Sequence, residues 1–210
     1  SQYRINVPQY ILTKLNNGEL ETPKPENSVF EQSRIRIVAR PQDALKASAV
    51  KATKLGLEVF SLGDAVEGDT NQVAKQHAAF VREKLTHFST DKPFVILSGG
   101  ETTVNVTGSG KGGPNSQYVL ATAKELDGMT GVYAIACDTD GIDGSEDNAG
   151  ALMTPSTIKR ARSKGMDVNQ YLKNNDAYSF FENLGDLVMT GPTLTNVNDF
   201  RAIAYLPGLD

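Results

Sequence analysis

The sequence is poor in the residues that build crosslinks and soft-metal centres. Its single cysteine, Cys137, excludes an internal disulfide and any zinc site made of several thiolates. Two histidines, His77 and His87, leave little for an imidazole-rich metal centre, and tryptophan is absent. Basic residues are not in excess: 21 Lys and Arg stand against 25 Asp and Glu. Nucleic acid is therefore not an expected partner, because phosphate contacts need a surplus of cations. No run approaches the roughly 18–20 consecutive apolar residues of a membrane span. No charged start followed by an apolar stretch marks a signal peptide. The expectation is a cytoplasmic protein with no membrane partner.

What is present is enough for a sizeable core: 210 residues, 39% of them hydrophobic and 22% charged. The chain opens Ser1-Gln2-Tyr3 rather than with Met, which suggests a processed chain or a fragment of something longer. Glycine is unevenly spread. Of 19, eleven lie between Gly99 and Gly150, where unusual backbone is expected.

Residues 1–33 read as a lead-in: a short helix near Pro8–Leu15, then Thr22-Pro23-Lys24-Pro25, an extended connector. From residue 34 to 210 one α/β domain is expected. Ile35–Ala39, Leu57–Leu62 and Phe94–Leu97 read as strands, separated by helices that start at Pro41 and near Asp69 or Thr70. That alternation predicts crossovers in a largely parallel sheet. Thr103–Thr107 alternates like a strand in a hairpin with the one before it. A helix over about Ser116–Leu126, a strand at Val132–Cys137, three short helices between Pro155 and Asn183, and closing strands near Leu187–Met189 and Phe200–Leu206 complete a three-layer αβα domain with a mixed, partly parallel sheet.

Three segments carry candidate chemistry. Gly108-Ser109-Gly110-Lys111-Gly112-Gly113-Pro114-Asn115 joins a strand to a helix, a place where backbone amides attract anions and Lys111 adds a mobile charge. It is not a Walker A loop, since Asn105 and Gly112 stand where Gly and Ser or Thr are required. Asp138-Thr139-Asp140-Gly141-Ile142-Asp143-Gly144-Ser145-Glu146-Asp147-Asn148 crowds five acids into its first ten positions with no Lys or Arg, a pattern that suits a hard cation. It is not an EF-hand: Asp143 replaces the glycine of the sixth position and Ala149 the glutamate of the twelfth. A solvated acidic turn would look the same. Gly191–Asp199 gathers Thr193, Thr195, Asn196, Asn198 and Asp199, which can orient a polar ligand or simply brace a loop. His77 lies on an apolar helical stripe and reads as a core residue. Cys137 ends an apolar strand and reads as inert.

Taken in order, Ser98-Gly99-Gly100-Glu101-Thr102-Thr103-Val104, the glycine loop, the acidic loop with Ala149-Gly150-Ala151, and Gly191-Pro192-Thr193 with Thr195–Asp199 resemble the carboxy-terminal MOFRL domain of type II glycerate kinases, over about residues 95–205. The stretch before it resembles the segment that precedes that domain. The resemblance implies ATP- and Mg²⁺-dependent phosphorylation of the 2-hydroxyl of D-glycerate. It also implies an upstream Rossmann-like domain, absent from this chain, with the site in the cleft between the two. Some relatives carry the label hydroxypyruvate reductase. The implied roles are Lys111, Asp138 and Asp140 in catalysis, and Asp138, Asp140 and Asp143 on the metal. Gly100, Glu101, Thr102, Gly108, Gly110, Gly112, Gly113, Asn115, Thr193, Thr195, Asn196 and Asn198 would hold substrate or ATP. One departure is plain: Pro114 stands where the family commonly has Arg.

Two other functions remain open on the residues: hydride transfer to hydroxypyruvate with a nicotinamide cofactor, and a non-catalytic anion- or nucleotide-binding module. The first lacks a dinucleotide fingerprint, since Arg40-Pro41-Gln42-Asp43 follows the first predicted strand without a glycine-rich turn. The residues do not set the oligomeric state, and a homo-oligomer is compatible with them.

Overall fold

A computed structural model describes residues 6–87 and 92–209, with the side chain of His87 outside the described part. The chain forms two units, Ser1–Val38 and Ala39–Asp210. The first holds helix α1 (Gln9–Asn16) and a single 3₁₀ turn at Ser28–Phe30, neither with a buried residue.

The second unit is an α/β domain. Helix α2 (Pro41–Lys54) leads to β1 (Glu58–Ser61), the short β2 (Gly68–Asp69) and α3 (Thr70–His87). Strand β3 (Phe94–Gly100), the short β4 (Thr102–Thr103), α4 (Pro114–Glu125) and β5 (Val132–Asp138) follow. Then come β6 (Gly150–Met153), α5 (Thr157–Ser163), α6 (Val168–Asn174), α7 (Ala177–Leu184), β7 (Leu187–Val188) and β8 (Asp199–Tyr205). Six strands form one sheet in the order β1-β3-β8-β5-β6-β7, and β2 pairs with β4 apart from it.

The sheet is mixed, as expected, but less parallel than the strand–helix alternation suggests. Only β1 and β3 run parallel within it. The last strand, β8, inserts between β3 and β5, antiparallel to both. Local periodicity cannot announce such a long-range insertion.

Two further expectations are corrected. Segment 35–39 forms no strand; Ile35 is 93% and Val38 86% exposed. A β-branched run realises its preference only against cross-strand neighbours. Thr103–Thr107 forms no hairpin with β3, because both sides of that strand's end are taken. On one side the Gly99 and Val66 amides bond to Gly63 and Gly99 carbonyls at 2.8 and 3.0 Å; on the other, Gly100 is in register with Asp199. Thr102–Thr103 pairs in parallel with Gly68–Asp69 instead.

The core has two parts. On one sheet face, Leu45 and Ala49 of α2 pack against Val95, Leu97 and Ala202. On the other, α3, α4 and α7 bury Val81, Tyr118, Leu120, Phe180 and Phe181 against Ile96, Val132 and Ile203. Each large side chain so buried contributes roughly 1.5–3 kcal/mol. Helix α4 is sealed on all sides from Asn115 to Ala123. Its burial brings Asn115, Ser116 and Gln117 into the interior, where each needs a partner.

Candidate functional site

The site grows from one end of the central strands. Because β8 runs against its neighbours, its first residue meets the last residues of β3 and β5. Gly100 and Asp138 are both in register with Asp199. The first turn of α4 and the acidic loop meet at the same end.

Asp143 is fully buried and fastens the start of α4. Its Oδ1 accepts from the Asn115 amide at 2.8 Å, and its Oδ2 accepts from the Ser116 amide at 2.7 Å and from the Ser116 hydroxyl. A carboxylate at a helix start satisfies orphan amides and complements the helix dipole. Asn115 Nδ2 donates to Asp199 Oδ1 at 2.7 Å, and Asp199 Oδ2 is ion-paired to Arg201 Nη2. Arg201 is 1% exposed, donates to Thr102 Oγ1 at 3.2 Å, and keeps Nε and Nη1 without a partner. Burial pushes the carboxyls of Asp143 and Asp199 upward. The bonds from Ser116 and Asn115 oppose this for Asp143, and the Arg201 charge opposes it for Asp199.

Asp138 and Asp140 lie half-buried closer to solvent. Asp138 Oδ1 accepts from the Asp140 amide at 3.0 Å; Asp140 accepts from the Ile142 amide at 2.8 Å and from Asn196 Nδ2 at 3.3 Å. Desolvation first, and the nearby charges of Asp140 and Asp199 after it, lift the Asp138 carboxyl from its ordinary 3.8 to about 6. The third loop is zipped onto the acidic one. The Thr193 amide donates to Asp140 O at 2.8 Å, Thr193 Oγ1 donates to Thr139 O, and Thr139 Oγ1 donates to Asn198 O at 2.8 Å. A Cβ on Gly141, whose φ is 96°, would collide with Gly191 O, so this joint needs glycine.

The structure thus brings together Gly100, Asn115, Asp138, Asp140, Asp143, Thr193, Asn196 and Asn198. Glu101 is exposed just beyond Gly100, and the exposed Thr195 accepts through its backbone carbonyl from Thr193 Oγ1 at 3.0 Å. Thr102 is spent inside, bonded to Thr70 Oγ1 at 3.1 Å and to Arg201.

The glycine loop is placed differently from an open phosphate cradle. The amides of Thr107, Gly108, Ser109, Gly110 and Lys111 all donate to Asn174, Asn175 or Asp176, at the turn between α6 and α7. A Cβ at Gly108 would collide with Asn174, and one at Gly113 with Asp143. Its glycines therefore serve close backbone approach. Lys111 is exposed, with Nζ 3.4 Å from Glu146 Oε2.

Among the described residues, no group of three or more His, Cys, Asp or Glu side chains is arranged to hold a metal ion. Asp143 has both oxygens engaged at α4, so a three-carboxylate Mg²⁺ site does not fit. Asp138 and Asp140 could hold an ion as a pair. His77 is the core residue expected: it is 6% exposed, with Nδ1 2.8 Å from the Tyr118 hydroxyl, and burial lowers its pKa to about 4. Burial, with Asp143, Asp199 and Asp138 nearby, pushes the Cys137 thiol up to about 12 and leaves it unreactive. Asn148, the last residue of the acidic loop, is buried, and the buried Ser116 and Arg201 are not among the residues the sequence singles out. A signal for Arg201 exists: Asp199 and Arg201, two apart in a strand, share one face of an otherwise apolar segment.

Fold and site together define an α/β domain whose loops at one end of a mixed sheet form a polar, acid-rich wall. Residues 94–199 match the model of the MOFRL family, and the chain belongs to that family. The D-glycerate 2-kinase of Thermotoga maritima is 35% identical over 180 residues, covering 85% of this chain and 42% of the relative. A protein of Agrobacterium vitis that bears the provisional name hydroxypyruvate reductase is 44% identical over 208 residues, covering 97% of this chain and 46% of its own length. The crystal structure of the Thermotoga maritima glycerate kinase superposes with a TM-score of 0.77 at 29% identity, covering 94% of this chain and 50% of that one. The chain spans about half the length of these relatives. Among its described residues, no helix is long and apolar enough to cross a membrane.

Proposed function

We propose that this chain is one wall of a glycerate kinase that transfers the γ-phosphoryl group of ATP to the 2-hydroxyl of D-glycerate. The site is completed by a further, Rossmann-like domain. The observation that carries the reading is the alignment of Gly100, Asp199 and Asp138 across three central strands, which sets a half-buried carboxylate of raised proton affinity beside Asp140 and Asn196. Phosphoryl transfer asks the protein mainly to position groups and neutralise charge.

In this scheme Asp138 takes the proton of the glycerate hydroxyl on its half-buried carboxylate, whose Oδ1 accepts from the Asp140 amide. Asp140 is the carboxylate that would hold Mg²⁺ brought with ATP, which would neutralise phosphate charge and leave Asp138 to take the proton. Glu101, Asn196 and Asn198 orient the substrate. Lys111 meets phosphate or the substrate carboxylate by leaving Glu146, an exposed pair worth about 0–1 kcal/mol. Asp143 positions α4 rather than touching the reacting atoms. Pro114 sits at the first turn of α4, where its fixed φ suits the helix. Lys111 then supplies the charge that an Arg would bring there, as a point charge rather than a bidentate fork.

The test is an ADP-coupled assay with D-glycerate on the protein that carries both domains. ADP release that depends on glycerate, and drops at least about a hundredfold in Asp138→Asn, supports the reading; no release above background sinks it. The Agrobacterium vitis name favours a second reading, reduction of hydroxypyruvate. Oxidation of NADH by the same protein with hydroxypyruvate would establish that instead.

A further inference from the structure

A cavity of about 460 Å³ opens on the helical layer among α3, α4, α6 and the loop at Asn105 and Thr107. It shares no residue with the acidic loop. Its size falls in the usual range for small-molecule sites. Lys75, Lys124 and Lys173 reach it from three different helices, and none has an ion-pair partner among the described residues. Two acids also line it, and both are engaged: Asp69 Oδ1 accepts from the Gln72 amide at 3.0 Å, and Glu125 lies 3.7 Å from Arg82. The three ammonium groups outnumber the two carboxylates, so the hollow is locally positive in a chain of net charge −4.

The walls are tied from beneath. Gln117 of α4, 2% exposed, donates through Nε2 to Asn71 Oδ1 on α3 at 3.1 Å and to Leu172 O on α6 at 3.4 Å. With its oxygen so engaged, Asn71 has its amide nitrogen left to donate. Asn175, held at φ 54°, accepts the Thr107 and Gly108 amides at 2.8 and 3.0 Å and closes the third side. A buried glutamine fastening two helices and a left-handed asparagine fastening a loop fix the backbone walls from which these exposed lysines project.

We propose that this hollow binds a small polyanion of the phosphate-ester class, gripped by Lys75, Lys124 and Lys173 and oriented by the carboxamides of Asn71 and Asn105. The lysines read charge; the Asn71 amide nitrogen donates to an anion oxygen, and the Asn105 carboxamide, able to donate and accept, reads a hydroxyl or a further oxygen. The inference does not rest on the kinase reading. Asn175 also anchors the glycine loop, so occupancy and the order of that loop are linked.

Pyrophosphate is the probe, titrated calorimetrically into the intact protein, with lysine acetylation footprinted by mass spectrometry in parallel. Expected are binding that weakens with salt, tighter for pyrophosphate than for sulfate, and acetylation slowed at least about threefold at Lys75, Lys124 and Lys173 but unchanged at the exposed Lys54 and Lys159. The triple variant Lys75→Gln, Lys124→Gln, Lys173→Gln should lose at least about tenfold in affinity. Absence of binding, equal binding of sulfate (an adventitious ion only), uniform labelling, or unchanged affinity in the triple variant overturns the proposal. If the triple variant does not fold, the footprint on the unaltered protein decides alone.

Discussion

Arg201 is the residue on which the buried network turns. Its charge faces Asp199 with almost no solvent, so removing it leaves an uncompensated carboxylate inside. Arg201→Met should destabilise the fold by about 3–5 kcal/mol in urea titration, and the double change with Asp199→Leu should be milder than the single one. Asp138 is the opposite case. Its folded pKa, about 6, lies above the ordinary 3.8, so between these values the folded state holds more proton than the unfolded one. Stability from this group is then greatest below pH 4 and is lost as pH rises through 6. Asp138→Asn should therefore stabilise the protein at pH 7, by on the order of 1 kcal/mol after solvent screening, and change nothing at pH 3.5. Thermal melts at the two pH values check this. Stabilisation with loss of glycerate-dependent ADP release would mark a residue kept for function at the expense of stability.

At the scale of elements, α4 and the loops around it behave as one assembly. Asp143 caps α4 from a loop that reaches it across 28 positions of sequence. Asp143→Ala should weaken the fold by about 2–3 kcal/mol, more than an ordinary exposed cap, because two buried amides and a hydroxyl lose their acceptor together. Denaturant unfolding gives the value. Asn175→Ala, by contrast, removes the acceptor of two amides at the domain surface. It should speed hydrogen exchange at Thr107 and Gly108 while leaving the core amides of β5 as protected as before. The elements themselves were largely legible: α2, α3, β3, α4, β5 and α7 stand within a few residues of where capping residues and apolar periodicity put them. Strand β6 was not, because Gly150-Ala151-Leu152-Met153 is too short to show a period, and its glycine is required by Ala136 O across the ladder.

For the whole molecule, the kinase reading carries its own expectation. The 210-residue chain alone should turn over no glycerate, and the two-domain protein should show kcat/KM falling below about pH 6 as Asp138 takes a proton. Turnover by the chain alone comparable to the larger protein would refute the divided site. The sequence by itself determined the composition class, most of the helices, the α/β character and the family, since these rest on local pattern and on motifs read in order. Only the tertiary structure decided that β8 lies between β3 and β5, and this single placement sets Asp199 beside Asp138 and Gly100. It also decided that the glycine loop bonds to residues 174–176, and that Asp143 caps a helix while Asp138 stays half-buried. Neighbouring acids of one loop look alike in sequence. Burial and hydrogen-bond partners tell them apart, and both come from chain segments tens of residues away.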